Sequence, residues 1–408
     1  MTQTLFSSNT TPLTSPRTEE DRSSWLRLIR SRGVGVHTFF RLMGEHGSAA
    51  RVLDLLPDLA ARAGVTNYTA AAPDSVEAEL RAGRRAGARL LCWGDPDYPP
   101  LLAGIPDPPP VLWMCGRAEV LAMPLVALVG ARNASSLGER MARQLAQDLG
   151  QQGFATVSGL ARGIDAAVHG ASLKTGTVAV LGGGIDVPYP SENEALFRRI
   201  ADQGVLLSEQ PMGLAPQARH FPRRNRIISG LARGLIVVEA AARSGSLITA
   251  RNALDQGRDV LAVPGHPFDG RATGCNMLIR DGATLIRSAA DVIDALGPVD
   301  ADAPDAPEAL RPPQPESPSP SAAPEAAADR AVRASLTTRP APRPQGTVPE
   351  PAQQRMAAIL SRLGPTPLPE DQLIRDLAMP ATIVAPALME LELEGRIVRH
   401  AGGMVSRS

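Results

Sequence analysis

"PLVALVGARNASSLGERMARQLAQDLGQQGFATVSG" (124–159) decides the architecture of this chain. It opens on a short apolar run, breaks at Gly130, and crosses a small polar loop. It then becomes helical through "ERMARQLAQDLGQQG" and returns to a second apolar run that again stops at a glycine. Apolar runs of four to eight residues bounded by glycine, with a helix-length stretch between them, read as strand, loop, helix, strand. The texture recurs in "TVAVLGGG", "VLLSE", "GLIVVEAA" and "DVLAVPG", over residues 124 to 297. Near-continuous apolar strands alternating with helices predict a parallel sheet covered on both faces, a doubly wound α/β domain.

Outward from this core, "WLRLIRSRGVGVHTFFRLMGEHGSAARVLDLLPDLAARAG" (25–64) has helical periodicity, broken at Gly33–Gly35 and Gly44–Gly47. This predicts a small helical domain of the helix-hairpin-helix type. Its glycine turn either offers backbone N–H groups to a phosphate or only packs helices. Between the two regions, the runs Arg89–Trp93 and Val111–Cys115 read as strands around a proline-fixed loop. Residues 301–350 hold 12 of the 38 prolines, which predicts an extended linker. Three helical stretches, "RIVRH", Gly402-Gly403 and "MVS" then predict a winged helix, whose third helix reaches a groove or a protein. The expected domains are a disordered start (1–20), the helical domain (21–75), the α/β domain (76–297), the linker (298–350) and the winged helix (351–408).

Composition narrows the function. With 42 basic and 42 acidic residues the net charge is zero, which argues against a binder coated in positive charge but allows a local basic groove. Lys174 is the only lysine, so phosphate contacts fall to arginine forks. Cys92, Cys115 and Cys275 show no metal-ligand spacing, which predicts no zinc site and a reducing, cytoplasmic setting. No run approaches the ~20 apolar residues of a membrane span. No cofactor is expected.

In an open parallel sheet, ligands bind beyond the carboxyl ends of the strands. Four loops there are candidates. "GARNASSLG" (130–138) offers Arg132, with Ser135 and Ser136 at a helix start, as an anion seat. "SGLARGIDAAVHG" (158–170) offers Gly159, Arg162 and Gly163, with Asp165 either a helix cap or a functional carboxylate. "LGGGIDVPYPSEN" (181–193) offers Gly183 in a run of three glycines that permits close approach. "AARSGSLITA" (241–250) offers Ser244, Gly245 and Ser246 at another helix start. GxGxxG and the GxxxxGK[ST] loop are both missing, which weakens a nucleotide triphosphate reading.

"RHFPRRNRIISG" (219–230) should lie on the same edge. Phe221 beside Arg219, Arg223, Arg224, Asn225 and Arg226 is what single-stranded nucleic acid requires, a ring to stack on and guanidiniums for the backbone. The competing reading is a core phenylalanine with solvated arginines. Catalysis has weak support. GxSxG and HExxH are absent, and His169 and His266 read as structural. A Glu209/Glu239 pair is conceivable, with nothing to fix its separation.

Taken in order, "VALVGARNASSLG", "SGLARGIDAAVHGASL", "TVAVLGGGIDVPYPSENEAL", "LLSEQPMGLAPQARHFPRRNRIISGL", "VVEAAARSGSLITARNAL" and "AVPGHPFDGRATGCNMLIRDGA" closely resemble the DNA-processing protein A family (DprA, also called Smf). The flanks agree, with a SAM-like helical domain before and a winged helix after. The resemblance implies an extended Rossmann-like central domain and a non-enzymatic mediator of recombination. Such a mediator binds and protects single-stranded DNA, hands it to the recombinase RecA in natural transformation, and forms a homodimer. The family's glycine-serine/threonine-arginine motif falls on Gly130 to Arg132 with Ala131 in the middle, and its FPxRN segment on Phe221 to Asn225. Ser191 stands where some relatives carry lysine. The resemblance places dimer contacts around Met277, Leu278, Leu285 and Ile286. The alternative is a phosphoribohydrolase-like nucleotide-processing enzyme, whose PGGxGTxxE motif is only echoed in "RSGSLITAR". A protein-interaction scaffold would not need the arginine–aromatic segment.

Overall fold

The computed structural model describes residues 15–62, 65, 67–298 and most of 356–407. The expected disordered start and linker fall outside the described residues, apart from 15–20 and 298. Two compact units form, within Met1–Glu316 and Ser317–Ser408.

The first unit starts with helices α1 (Glu19–Arg30), α2 (Val36–His46) and α3 (Ala49–Arg62). At the start of α1, Thr18 accepts the Asp21 N–H and Asp21 accepts the Thr18 N–H, a reciprocal cap. Gly44 stays inside α2, and the helix ends at Gly47 in the left-handed region (φ +83°), which a residue without Cβ adopts freely. Helix α4 (Pro73–Arg85) leads to strands β1 (Arg89–Cys92) and β2 (Val111–Gly116), with the short α5 (Pro100–Ala103) between them.

Seven strands follow: β3 (Leu125–Gly130), β4 (Ala155–Ser158), β5 (Thr177–Val180), β6 (Val205–Ser208), β7 (Gly234–Glu239), β8 (Asp259–Ala262) and β9 (Thr284–Leu285). The sheet order is β1-β2-β6-β5-β4-β3-β7-β8-β9. Strands β3 to β9 are mutually parallel, and β2 pairs antiparallel with both β1 and β6. The strand order reverses beside β3, so the loops at its carboxyl end stand at a topological switch point.

Crossover helices cover both faces, as continuous apolar strands require. On one face, α6 (Ser136–Gln151), α7 (Ile164–Ser172) and α12 (Ala289–Leu296) set Leu145, Leu149, Val168 and Val292 against Val126, Leu128 and Ile236. Helix α8 (Glu194–Gln203) buries Phe197 and Ile200 in the cluster that also holds Trp25, Phe39 and Trp113 of the N-terminal region. The other face carries α9 (His220–Leu231), α10 (Ser246–Asp255) and α11 (Thr273–Arg280), with Ile227, Ile228 and Leu231 packed among Val157, Val180 and Val237.

The N-terminal helices are tied to the sheet by polar links. Arg22 grips Asp95 with both Nη atoms (2.8 and 2.9 Å). Arg30 pairs with Glu79 and also donates to the Glu209 carbonyl at 3.1 Å, while the Trp113 indole N–H donates to Glu79 at 2.9 Å.

The second unit has the winged-helix form. Strand β10 (Leu368–Pro369) precedes α13 (Glu370–Leu377) and α14 (Ala381–Leu393), and β11 (Ile397–His400) and β12 (Met404–Arg407) complete a sheet of order β10-β12-β11. Ile359, Leu373, Val384, Leu388, Ile397 and Val405 form its core. Met389, Glu390 and Glu392 are exposed on α14.

Candidate nucleic-acid interface

The segment "FPRRNRIISG" lies within helix α9, and helical phase sorts its arginines. Residues three apart share a face, so Phe221 goes with Arg224, and Arg223 goes with Arg226.

Phe221 is half-buried. Its ring rests on Gly182, where a Cβ would stand 3.1 Å from a ring carbon. The Tyr189 ring lies alongside at 5.7 Å between centroids, tilted by 36°. The exposed Arg132 guanidinium sits 5.0 Å from the Phe221 centroid, within cation–π range. These groups line a cleft of about 330 Å³ together with Gly159, Arg162, Gly182, Gly183 and Pro188. The cleft lies across the carboxyl ends of β3, β4 and β5. Arg162 at its mouth is exposed and paired with Glu192 at 3.5 Å.

Arg224 corrects the expectation of a surface cation. It is buried (4% exposed) and its Nη1 donates to the Gly159 carbonyl at 2.7 Å and to the Val180 carbonyl. It thereby ties the end of β4 to the end of β5, 5.9 Å from the Phe221 centroid. Burial pulls its pKa down to about 10, opposed by Asp165. Asp165 accepts the N–H groups of Gly159 (3.2 Å) and Ala161 (3.3 Å), and burial raises its pKa. It closes the 159–165 loop and does not face the cleft as a free carboxylate. His169 is fully buried, with Nε2 accepting the Leu160 N–H at 3.3 Å and Nδ1 bonded to Thr177 at 2.7 Å. The acceptor role of Nε2 puts the proton on Nδ1, and burial lowers this histidine to about 3. The bond also helps to hold Leu160 at φ +54°, in the left-handed region.

Arg226 is also corrected. Its side chain is 12% exposed and bridges Asp107 (2.9 Å) and Glu209 (2.7 Å) on the opposite flank of α9. Arg223 is exposed on that flank, lining a second groove with Asp107 and Glu209, away from the Phe221 cleft. Asn225 is half-buried, and Arg219 is exposed at the start of α9.

The expected anion seats at helix starts have internal partners. At α6, Ser135 caps the Gly138 N–H, and its own N–H and hydroxyl both donate to the buried Glu239 carboxylate. A carboxylate thus holds the place expected for phosphate, while Ser136 beside it is exposed. Glu239 is engaged there and Glu209 with Arg226, so the conceived carboxylate pair is two separate structural acids. At α10, the Ser244 and Ser246 hydroxyls bond each other at 2.6 Å and Ser246 is buried, with Gly245 exposed between them. Gly163 (φ +72°) has structural work: the next residue, Ile164, donates its N–H to the Ala131 carbonyl at 3.2 Å, crossing the loops after β3 and β4. Gly183 leaves no room for a Cβ beside the Leu214 carbonyl, at 2.7 Å.

Of the expected dimer residues, Met277 and Leu285 are exposed. Leu278 is half-buried against the core, and Ile286 is corrected to a core residue at 0% exposure. Among the described residues no cluster of His, Cys, Asp or Glu is arranged to hold a metal ion, and no helix is long and apolar enough to cross a membrane. Sequence reasoning missed Tyr189 as a ring of the cleft. A tyrosine between two prolines, in a chain with 3% aromatics, was the available signal.

The comparisons with known proteins agree with this frame. The family model described as DNA recombination-mediator protein A matches residues 89–297, just over half of the chain. The chain belongs to this family. A DprA-like N-terminal HHH domain matches residues 19–82 and a DprA winged helix domain matches 339–403. Protein Smf of Synechocystis sp. is 38% identical over 330 residues, covering 79% of this chain and 81% of its own length. The DNA processing protein DprA of Streptococcus pneumoniae is 46% identical over 201 residues, 49% of this chain and 71% of its own. The X-ray structure of the Streptococcus pneumoniae protein superposes with a TM-score of 0.59 at 36% identity, covering 67% of this chain and 97% of that one. Members of this DNA recombination-mediator family are thus similar to the present chain from its N-terminal helices to its winged helix.

Proposed function

We propose that the chain binds single-stranded DNA in the Phe221 cleft, as a non-catalytic mediator that shields the strand and delivers it to a RecA recombinase. The observation that carries this reading is the half-buried Phe221 ring, backed by glycine, flanked by Tyr189 and overlain by the exposed Arg132 guanidinium. With the exposed Arg132 side chain swung from the ring to the adjacent phosphate, to which it donates, the Phe221 face is open to any unpaired base. A duplex, with its bases paired and stacked, offers no face to such a cleft. The delivery and transformation roles rest on the family resemblance, as do a cytoplasmic site of action and a homodimer built with Met277 and Leu285.

The test is a fluorescence titration of a labelled single strand against its duplex at two salt concentrations. About three phosphate contacts, at Arg132, Arg162 and Arg219, give a slope of log K on log salt of roughly −2 for the single strand. Equal affinity for the duplex would overturn the proposal. Glu192, paired with Arg162, is the one carboxylate lining the cleft among the described residues. Release of a base from a nucleoside monophosphate by the purified protein would favour the enzymatic alternative.

A further inference from the structure

Phe268 is 94% exposed, the highest value among the exposed large apolar side chains of the described residues. It lies in "PGHPFDGR" (264–271), the loop leaving the carboxyl end of β8, on the same rim of the sheet as the Phe221 cleft. Exposed phenylalanines on mobile loop tips are common, but this loop is built. The Gly265 N–H donates to Asn276 Oδ1, and Asn276 Nδ2 donates back to the Gly265 carbonyl at 3.0 Å. The Phe268 N–H donates to His266 Nδ1 at 3.3 Å, and the Asp269 N–H donates to the His266 carbonyl at 2.9 Å. Asp269 accepts the Arg271 N–H at 3.0 Å and pairs with its guanidinium, so that acid is engaged inside the loop. The loop holds the ring in water, with the His266 ring beside it at 5.6 Å and a 37° tilt.

The rim is continuous between the two rings. The loop after β3 that carries Arg132 is bonded through Ser135 to Glu239 at the end of β7. The Gly274 N–H of α11 donates to the Ala240 carbonyl at 2.7 Å, joining the loop after β8 to the loop after β7. From β5, whose end backs Phe221, to β8 is four strand steps, about 19 Å. That distance is a few nucleotides of extended strand. Arg132 stands at the cleft, and exposed Arg243 lies on the loop after β7 between them.

Resting on the single-strand reading above, we propose that Phe268, with His266, is a second base-stacking platform for the same strand, farther along the rim from the cleft. A lone ring with histidine, aspartate and arginine neighbours is matched to a base flanked by phosphates. An apolar protein partner would require apolar neighbours.

The experiment uses the full chain and oligothymidylate of about 16 nucleotides, near the upper end of known single-strand site sizes. Phe268→Ala is expected to weaken binding about 5- to 150-fold, the effect of losing one stacked base, with an unchanged salt slope. Phe268→Trp is expected to retain affinity. Trp25 and Trp113 are buried and Trp93 is half-buried, so the new exposed indole reports separately, and its emission should be quenched by the strand. Unchanged affinity in Phe268→Ala, or an unquenched indole in Phe268→Trp, overturns the second platform while leaving the Phe221 cleft intact. A fall in sedimenting mass of Phe268→Ala without strand also overturns it, by assigning the ring to a contact between copies. Failure of the unsubstituted chain to bind the oligomer instead overturns the single-strand reading itself.

Discussion

Arg132 and Arg224 both lie within 6 Å of the Phe221 ring centroid, and they are opposites. Arg132 stands on a loop, exposed, with its guanidinium over the outer side of the ring. Arg224 is closed inside the protein, its Nη1 donating to two strand-end carbonyls. The same residue type at nearly the same distance serves as a ligand contact in one case and as a clamp in the other. Solvent access separates them, because a guanidinium enclosed at 4% exposure cannot be reached by a phosphate.

The largest test of that contrast is Arg224→Ala. It leaves the Gly159 and Val180 carbonyls unpaired and Asp165 without its neighbouring cation. Removing one partner of such a buried arrangement costs about 3–5 kcal/mol. Denaturant unfolding followed by circular dichroism should show it, while Arg132→Ala stays within about 0.5 kcal/mol of the parent. A similar small change in both variants would erase the distinction. Next is Phe221→Ala, expected to lower single-strand affinity by about 1–3 kcal/mol without altering the salt slope. Affinity equal to the parent would leave Arg132 with no ring to work beside.

The buried side of the comparison also has a pH signature. His169 falls from its ordinary 6.5 to about 3 because of burial. Below 6.5 the unfolded chain takes up a proton that the folded chain refuses until about 3. Stability from this residue is therefore lost as pH falls through that window, at roughly 1.4 kcal/mol per unit. Acidifying from about pH 7 to about pH 5 should cost the parent about 2 kcal/mol more than His169→Gln, measured by urea unfolding at both values. Parallel losses would show that His169 is not held neutral. The smallest effect is electrostatic. Arg132→Ala should flatten the salt slope by about 0.7, and Arg223→Ala, on the other flank of α9, should not. Equal flattening would mean that diffuse charge, not the cleft, sets the attraction.

The strands were legible because both sheet faces are covered. "PLVALVG" and "GLIVVEAA" have no polar face to disguise them, and each formed a strand where expected. The ring at 221 beside Arg132 was also readable, since both belong to strand-end loops or to the helix resting on them. The division of labour among Arg223, Arg224 and Arg226 was not. It depends on the segment being helical and on which flank meets Asp107 and Glu209, acids that lie far away in the chain. Ser135 misled for a similar reason. A serine at a helix start looks the same whether its partner is a phosphate or Glu239, which is 104 residues away. The local pattern names the donor, and only the tertiary structure names the acceptor.

The links of the N-terminal helices to the sheet have a practical corollary. Arg22–Asp95, Arg30–Glu209 and the shared Trp25–Trp113 cluster all join α1 to parts of the chain beyond α4. A protease that cut between Asn67 and Ala72 would therefore yield two fragments that travel together on a sizing column and separate only in denaturant. The same attachment makes the interval a usable point for splitting the protein into halves that reassemble.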